Sequence, residues 1–147
     1  MPGSTRFAAA THLMVLLASE RDRPQTSDLL AKSLVTNPAV VRRLLGALTK
    51  AGLTSSRLGK GGGSVLAKGP KKITLADIYR AVEEPGLIAM PRADPDPACP
   101  IGGAVGPMLG QIADAAEAAF MAALEAVSLK LLAKEIAAQN IAAKSAA

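Results

Sequence analysis

Two short helical segments separated by three residues, a glycine-tipped hairpin directly after them, and a long alanine-rich stretch with helical spacing near the C terminus predict a mainly α fold with a small β-hairpin. In order, these features spell a winged helix-turn-helix followed by a long C-terminal helix.

The first helix rests on Phe7, Ala10, Met14, Leu17 and Ala18, which recur at three- and four-residue intervals. Arg6 followed by FAAATHLMVLLAS has the outline of a signal peptide, but Thr11 and His12 interrupt the apolar run, and a winged helix needs a helix here to close its core. In TSDLLAKSL, Thr26 or Ser27 can cap a second helix, and only Val35 to Asn37 remain for a turn. Asn37-Pro38 supplies a capping side chain and a first-turn proline for AVVRRLLGALTKA, which Gly52 ends. So short a connection forces a steep crossing and makes this third helix protrude. Val40, Val41, Leu44, Leu45 and Leu48 form its expected buried face, while Arg42, Arg43 and Lys50 point outward.

SSRLGKGGGSVLA then reads as two short strands around Gly59 to Gly63, with Lys60 at the tip. Lys68 to Lys72 is a basic connector, and ITLADIYRAVEE is a helix capped by Thr74 with Leu75, Ile78 and Val82 on one side. Five prolines between Glu84 and Gly106 break every periodic pattern, so this is an irregular connection. From Pro107, the residues Leu109, Ile112, Ala116, Phe120, Leu124 and Val127 mark the long helix as one apolar stripe whose small residues admit a second helix. Ser128 caps a last helix, SLKLLAKEIAAQ, before a frayed alanine tail. The expected organisation is a winged helix-turn-helix unit at 1–84, a Pro-rich sensor or connecting loop at 85–106, and a dimerisation helix with a C-terminal helix at 107–147.

Charge divides the chain in the same way. Residues 1–73 carry 12 Lys and Arg against Glu20, Asp22 and Asp28, a net +9, whereas residues 74–147 carry 5 against 9, a net −4. A basic half joined to a protruding helix and a wing is the electrostatic footprint of a phosphate-binding surface. With Phe7, Tyr79 and Phe120 as the only rings, stacking on single-stranded bases is not the main mode, which favours duplex DNA. One cysteine excludes an internal disulfide framework and fits a reducing cytoplasm. No run reaches the roughly 20 apolar residues of a membrane span. No paired carboxylates, nucleophile with base, or metal constellation converges, so the chain reads as no enzyme and as carrying no cofactor. His12 has no second ligand at useful spacing, and the wing glycines lack the Gly-Lys-Ser/Thr ending of a phosphate loop.

The first turns of the third helix offer Asn37, Ala39, Arg42 and Arg43 to base edges, where an arginine can bridge guanine acceptors. Lys50, Arg57 and Lys60 are candidates for the backbone or minor groove. Ser27 and Thr36 read first as cap and turn residues that could also donate to a phosphate. Arg42 and Arg43 have a second reading, as a solvated face or an internal ion pair. Cys99, the sole thiol, lies in the loop leading into the long helix; it is either a redox sensor or a small packed residue.

NPAVVRRLLGALTKAGL, the GKGGG wing and ITLADIYRAVE together resemble the Rrf-two family of bacterial winged-helix transcription regulators, and the similarity extends through THLMVLLA, CPIGG and AVSLKLL over essentially the whole chain. The resemblance implies a homodimer in which crossed long helices set two recognition helices in successive major grooves, with the wings beside them. The leading reading is a dimeric, sequence-specific DNA-binding repressor modulated by oxidation of Cys99, the sole thiol, or by a small effector. The alternative is a winged-helix interaction module that uses the long apolar helix and binds no DNA. Family members with an iron–sulfur cluster place three cysteines before the long helix, whereas this chain has Cys99 alone. Ser64 stands where the family usually has a larger, often aromatic residue, which bears on the rigidity of the wing.

Overall fold

The computed structural model of the chain describes residues 4–146. It contains α1 (Arg6–Ser19), α2 (Ser27–Leu34), α3 (Pro38–Lys50), β1 (Thr54–Arg57), β2 (Gly63–Leu66), a 3₁₀ turn at Pro70–Lys72, α4 (Leu75–Val82), α5 (Gly102–Glu125) and α6 (Leu129–Ser145). The mainly α fold with a helix-turn-helix at α2–α3 and a hairpin wing at β1–β2 is the one the sequence predicts.

Side-chain caps set most of these boundaries. Thr26, not Ser27, caps α2, its hydroxyl accepting the Leu29 N–H at 3.3 Å. Asn37 caps α3 by accepting the Ala39 N–H at 2.8 Å. Thr74 and Asp77 form a reciprocal capping box on α4, and Ser128 caps α6 at 3.1 Å. At the start of α1 the Arg6 N–H donates locally to Ser4 Oγ at 3.1 Å, while the Phe7 N–H is served from far along the chain by the Glu83 carboxylate, just past α4, at 3.0 Å.

Leu13, Met14 and Leu17 of α1 meet Leu30 of α2, Val41, Leu44, Leu45 and Leu48 of α3, and Ile78 and Val82 of α4 in one core. Val40 does not belong to that face and is 40% exposed. At about 100° per residue, Val41, Leu44, Leu45 and Leu48 cluster around one direction, and Val40 lies roughly 90° from it, at the edge of the apolar arc. Leu129 at the start of α6 is fully buried in the same core. The chain therefore returns to the winged helix after α5. Two backbone bonds secure the return, Leu75 N–H to Val127 C=O at 3.0 Å and Leu129 N–H to Ile73 C=O at 2.8 Å.

The wing has an unexpected further backbone anchor. β1 and β2 pair antiparallel from Thr54↔Leu66 to Arg57↔Gly63, and Gln25, in the segment before α2, exchanges two backbone bonds with Ser64 at 3.0 and 2.8 Å. A Cβ on Gly63 would come within 2.6 Å of the Gln25 carbonyl oxygen, so only glycine admits this approach. The small Ser64 side chain leaves the wing anchored, because the anchor is backbone.

The long helix starts at Gly102 rather than Pro107, which puts Pro107 inside it. Cys99 Sγ accepts the Gly102 N–H at 3.3 Å, and the Ala104 and Val105 N–H groups both reach the Ile101 carbonyl, so the first turn closes ahead of the proline. The single apolar stripe expected along this helix divides in two. Phe120 packs edge-on against Tyr79 of α4 with ring centroids 5.0 Å apart, and Leu124 lies half-buried on the same side. Leu109, Ile112 and Ala116, together with Val105 and Met108, remain uncovered. Helix α6 runs beyond its expected end to Ser145. The alanine tail is left to Ala146 and Ala147, the latter outside the described residues.

Val35, which closes α2, adopts the left-handed conformation with φ of 51°, and it is 92% exposed, so no packing offsets the strain. That conformation costs an L-residue about 1–2 kcal/mol, and asparagine bears it best after glycine. Val35→Asn is expected to stabilise the chain by about 1 kcal/mol, seen as a rise of about 3 °C in thermal unfolding monitored by circular dichroism. A lower Tm would contradict this geometry of the turn.

Candidate nucleic-acid interface

Helical geometry collects the outward residues of α3 on one side. Opposite Val41, Leu44, Leu45 and Leu48 stand Ala39, Arg42, Arg43, Gly46 and Lys50, all exposed. Neither arginine has an intramolecular ion-pair partner: among the described residues the one ion pair is Arg80 with Glu125. Both guanidiniums are solvated and able to receive an anion.

Gly46 is the residue that sequence reasoning passed over. It sits in the middle of this face, and a Cβ placed on it would meet nothing within 4 Å. Internal packing thus gives no reason for a glycine that costs the helix about 1 kcal/mol relative to alanine. Its signal in the sequence was a glycine inside an otherwise well-formed helix, flanked by Arg42, Arg43 and Lys50.

The remaining sequence-selected residues are distributed around this face. Thr36 and Asn37 are exposed at the N-terminal end of α3, where the Asn37 carboxamide oxygen is already committed to the cap. Ser27 is the first residue of α2 and half-buried. Lys60 is exposed in the wing tip, and Leu58 beside it is 95% exposed, an apolar side chain the sequence reading did not single out. Arg57 stands apart from Lys60. It lines a cleft behind the tip with Arg21 and Lys68.

Cys99, in the loop before α5, is exposed, which rules out the packed-residue reading in the single chain. Its sulfur acts as the acceptor at the entrance to α5, and Pro95 seats over Gly102, where a Cβ would come within 2.7 Å of the proline ring. The loop thereby places the thiol at the base of the long helix. Among the described residues no helix is long and apolar enough to cross a membrane.

Comparison with known proteins agrees with this geometry. YwnA of Bacillus subtilis, assigned as an HTH-type transcriptional regulator, is 35% identical over 127 residues, which span 86% of this chain and 93% of that protein. The crystal structure of a protein assigned as DNA-binding superposes with a TM-score of 0.71 at 32% identity, covering 86% of this chain and 97% of the other. CymR, the global cysteine regulator of B. subtilis, superposes with a TM-score of 0.67 at 26% identity over 92% of this chain and 98% of its own. The Rrf2 (Rrf-two) family model, described as an iron-dependent transcriptional regulator, matches residues 3–135. The donor set here does not fit an iron–sulfur cluster, which takes several thiolates. The loop offers one thiol, and among the described residues no group of three His, Cys, Asp or Glu is placed to hold a metal. With a helix-turn-helix, an anchored wing and a family match over most of its length, the chain belongs to the Rrf2 family of transcriptional regulators.

Proposed function

We propose that the chain is a dimeric, sequence-specific regulator of the cytoplasm, a repressor, which inserts α3 into the major groove of duplex DNA with the wing beside it. The observation that carries this reading is the exposed face of Ala39, Arg42, Arg43, Gly46 and Lys50, cationic and free of internal ion pairs. Asn37, Ala39, Arg42 and Arg43 would meet base edges; Ser27, Thr36, Lys50 and Lys60 would hold phosphates, with Arg57 behind the tip. Residues 1–84 would form the DNA-binding unit, 85–101 the sensor loop, and 102–147 the dimerisation and C-terminal helices. Val105, Met108, Leu109 and Ile112 supply the apolar face that a second subunit would cover. Binding as a dimer places half-sites about 34 Å apart or a multiple of it.

Control enters at the loop or at the turn. Hydrogen peroxide would convert two Cys99 thiols, one per subunit, into a disulfide and two waters, changing how the long helices cross. A small effector is the other route, and an open cleft of about 410 Å³ between α1 and the α2–α3 turn, lined by Ala8, His12 and Val40, offers it a position.

Arg43→Ala is expected to cost about 1–3 kcal/mol on the specific site and relax its sequence preference, whereas Lys60→Ala weakens all duplexes alike and lowers the salt slope by about one. Fluorescence anisotropy on specific and random duplexes at several salt concentrations separates the two. Loss of equal size on both duplexes for Arg43→Ala removes it from base readout; no duplex affinity for the wild type at any salt favours the interaction module instead.

Gly46→Ala separates fold from function. It should raise stability by about 1 kcal/mol while weakening duplex binding, because the added methyl group intrudes where α3 meets the groove. Unchanged affinity in a stabilised variant would take Gly46 out of the interface.

Cys99→Ser should bind DNA as the reduced wild type does and lose any response to peroxide. Equal responses from both proteins, or none from a wild type whose thiol is shown by mass spectrometry to be oxidised, would leave an effector as the means of control.

A further inference from the structure

Arg21 in the loop after α1, Arg57 on β1 and Lys68 just past β2 converge on one cleft of about 250 Å³ on the hairpin. Three separate segments bring these cations together. The Arg21 guanidinium lies over Gly69, with Nη2 3.6 Å from where a Cβ of that residue would stand. Asp22 is the only acidic residue lining the cleft, and among the described residues it makes no ion pair with any of the three. The cleft thus holds three positive charges against one negative. Convergent like charges repel, and an anion placed among them reverses the sign of that interaction.

Two arginine forks and a lysine suit a phosphate group. The Gln25–Ser64 backbone bridge preorganises them, since Arg21 lies four residues before Gln25, and Arg57 pairs with Gly63 next to Ser64. Along the hairpin the cations continue from Lys60 at the tip past Arg57 to Lys68. β2 from Gly63 to Leu66 covers roughly 10 Å at the rise of an extended strand, which sets Lys68 apart from the tip.

We propose that this cleft binds a backbone phosphate of the DNA flanking the half-site. The proposal rests on the duplex-binding reading given above. A free phosphate ester would use the same chemistry, and the test distinguishes the two sources.

The double variant Arg21→Gln, Lys68→Gln alters two exposed side chains, and circular dichroism checks its fold. Affinity is measured by anisotropy for a duplex ending at the outer edge of the half-sites and for one extended by about one helical turn on each side. Wild type is expected to bind the extended duplex more tightly and with a steeper salt dependence. The variant should lose that gain, with a slope lower by about two, near 0.9 for each cation removed, and should match the wild type on the short duplex. Arg21→Lys, Lys68→Arg, which keeps both charges, should restore the steeper slope. Wild type that binds both lengths equally, or a variant with an unchanged slope, overturns the proposal while leaving the DNA-binding reading intact. Wild type that binds neither duplex overturns that reading. Inorganic pyrophosphate, titrated into the wild type and followed at the Gly69 amide by NMR, provides the second arm. Saturation at micromolar pyrophosphate with no effect of duplex length assigns the cleft to a free phosphate ester and overturns the DNA source.

Discussion

Three rings are all the aromatic residues this chain possesses, and the fold spends them in one place. Phe7 of α1 meets Tyr79 of α4 edge-on at 5.3 Å, and Tyr79 meets Phe120 of α5 edge-on at 5.0 Å. Each such contact contributes about 0.5–1.5 kcal/mol beyond its buried area. This ladder joins the long helix to the winged helix. No residue of α5 is fully buried, so the helix has no core of its own to fix its direction. Arg80 with Glu125, and the Gly86 N–H donated to the Glu117 carboxylate at 3.3 Å, reinforce the joint from its two sides. Tyr79 thus touches α5 on one side and, through Phe7, the helix that backs α2 and α3 on the other.

The joint is built differently from the core it adjoins. Leu13, Leu48, Ile73 and Ile78 are fully buried and hold by dispersion and exclusion of water, with little freedom to rearrange. The ladder rings are half-buried, and their polar companions Arg80 and Glu125 are more than half exposed. An exposed ion pair contributes at most about 1 kcal/mol and weakens in salt. The winged helix is thus rigidly packed, and its joint to the long helix is compliant.

Much of this architecture was legible in the sequence because local physics dictated it. Asn37-Pro38, Thr74 with Asp77, and Ser128 are capping signals that need no tertiary context, and each begins the helix it announces. Where the reading and the structure part, the missing information is tertiary. Val40 satisfies the spacing rule at the edge of the apolar arc, and only the packed structure shows that this edge is left 40% exposed. A Cys99 sulfur serving as a turn acceptor lets α5 form ahead of Pro107, a role no propensity scale contains. Phe120 and Leu124 looked continuous with Leu109 and Ile112 because a stripe drawn on one helix does not reveal that α4 covers half of it. In the candidate interface the charged residues were visible as charges. Gly46 and Arg21 were not, one because it contributes only an absence of atoms and the other because its neighbours come from three segments.

The backbone seam between Gln25 and Ser64 sets what can vary in this wing. It uses no side chain from either residue, so Ser64 can change without breaking it; Gln25 is buried, with its carboxamide donating to the Arg23 carbonyl, and Gly63 is closed to any residue with a Cβ. The tip from Leu58 to Gly61 lies outside that seam and touches none of the core. A lineage of such proteins can therefore rewrite the tip while the attachment of the wing to the domain is inherited unaltered.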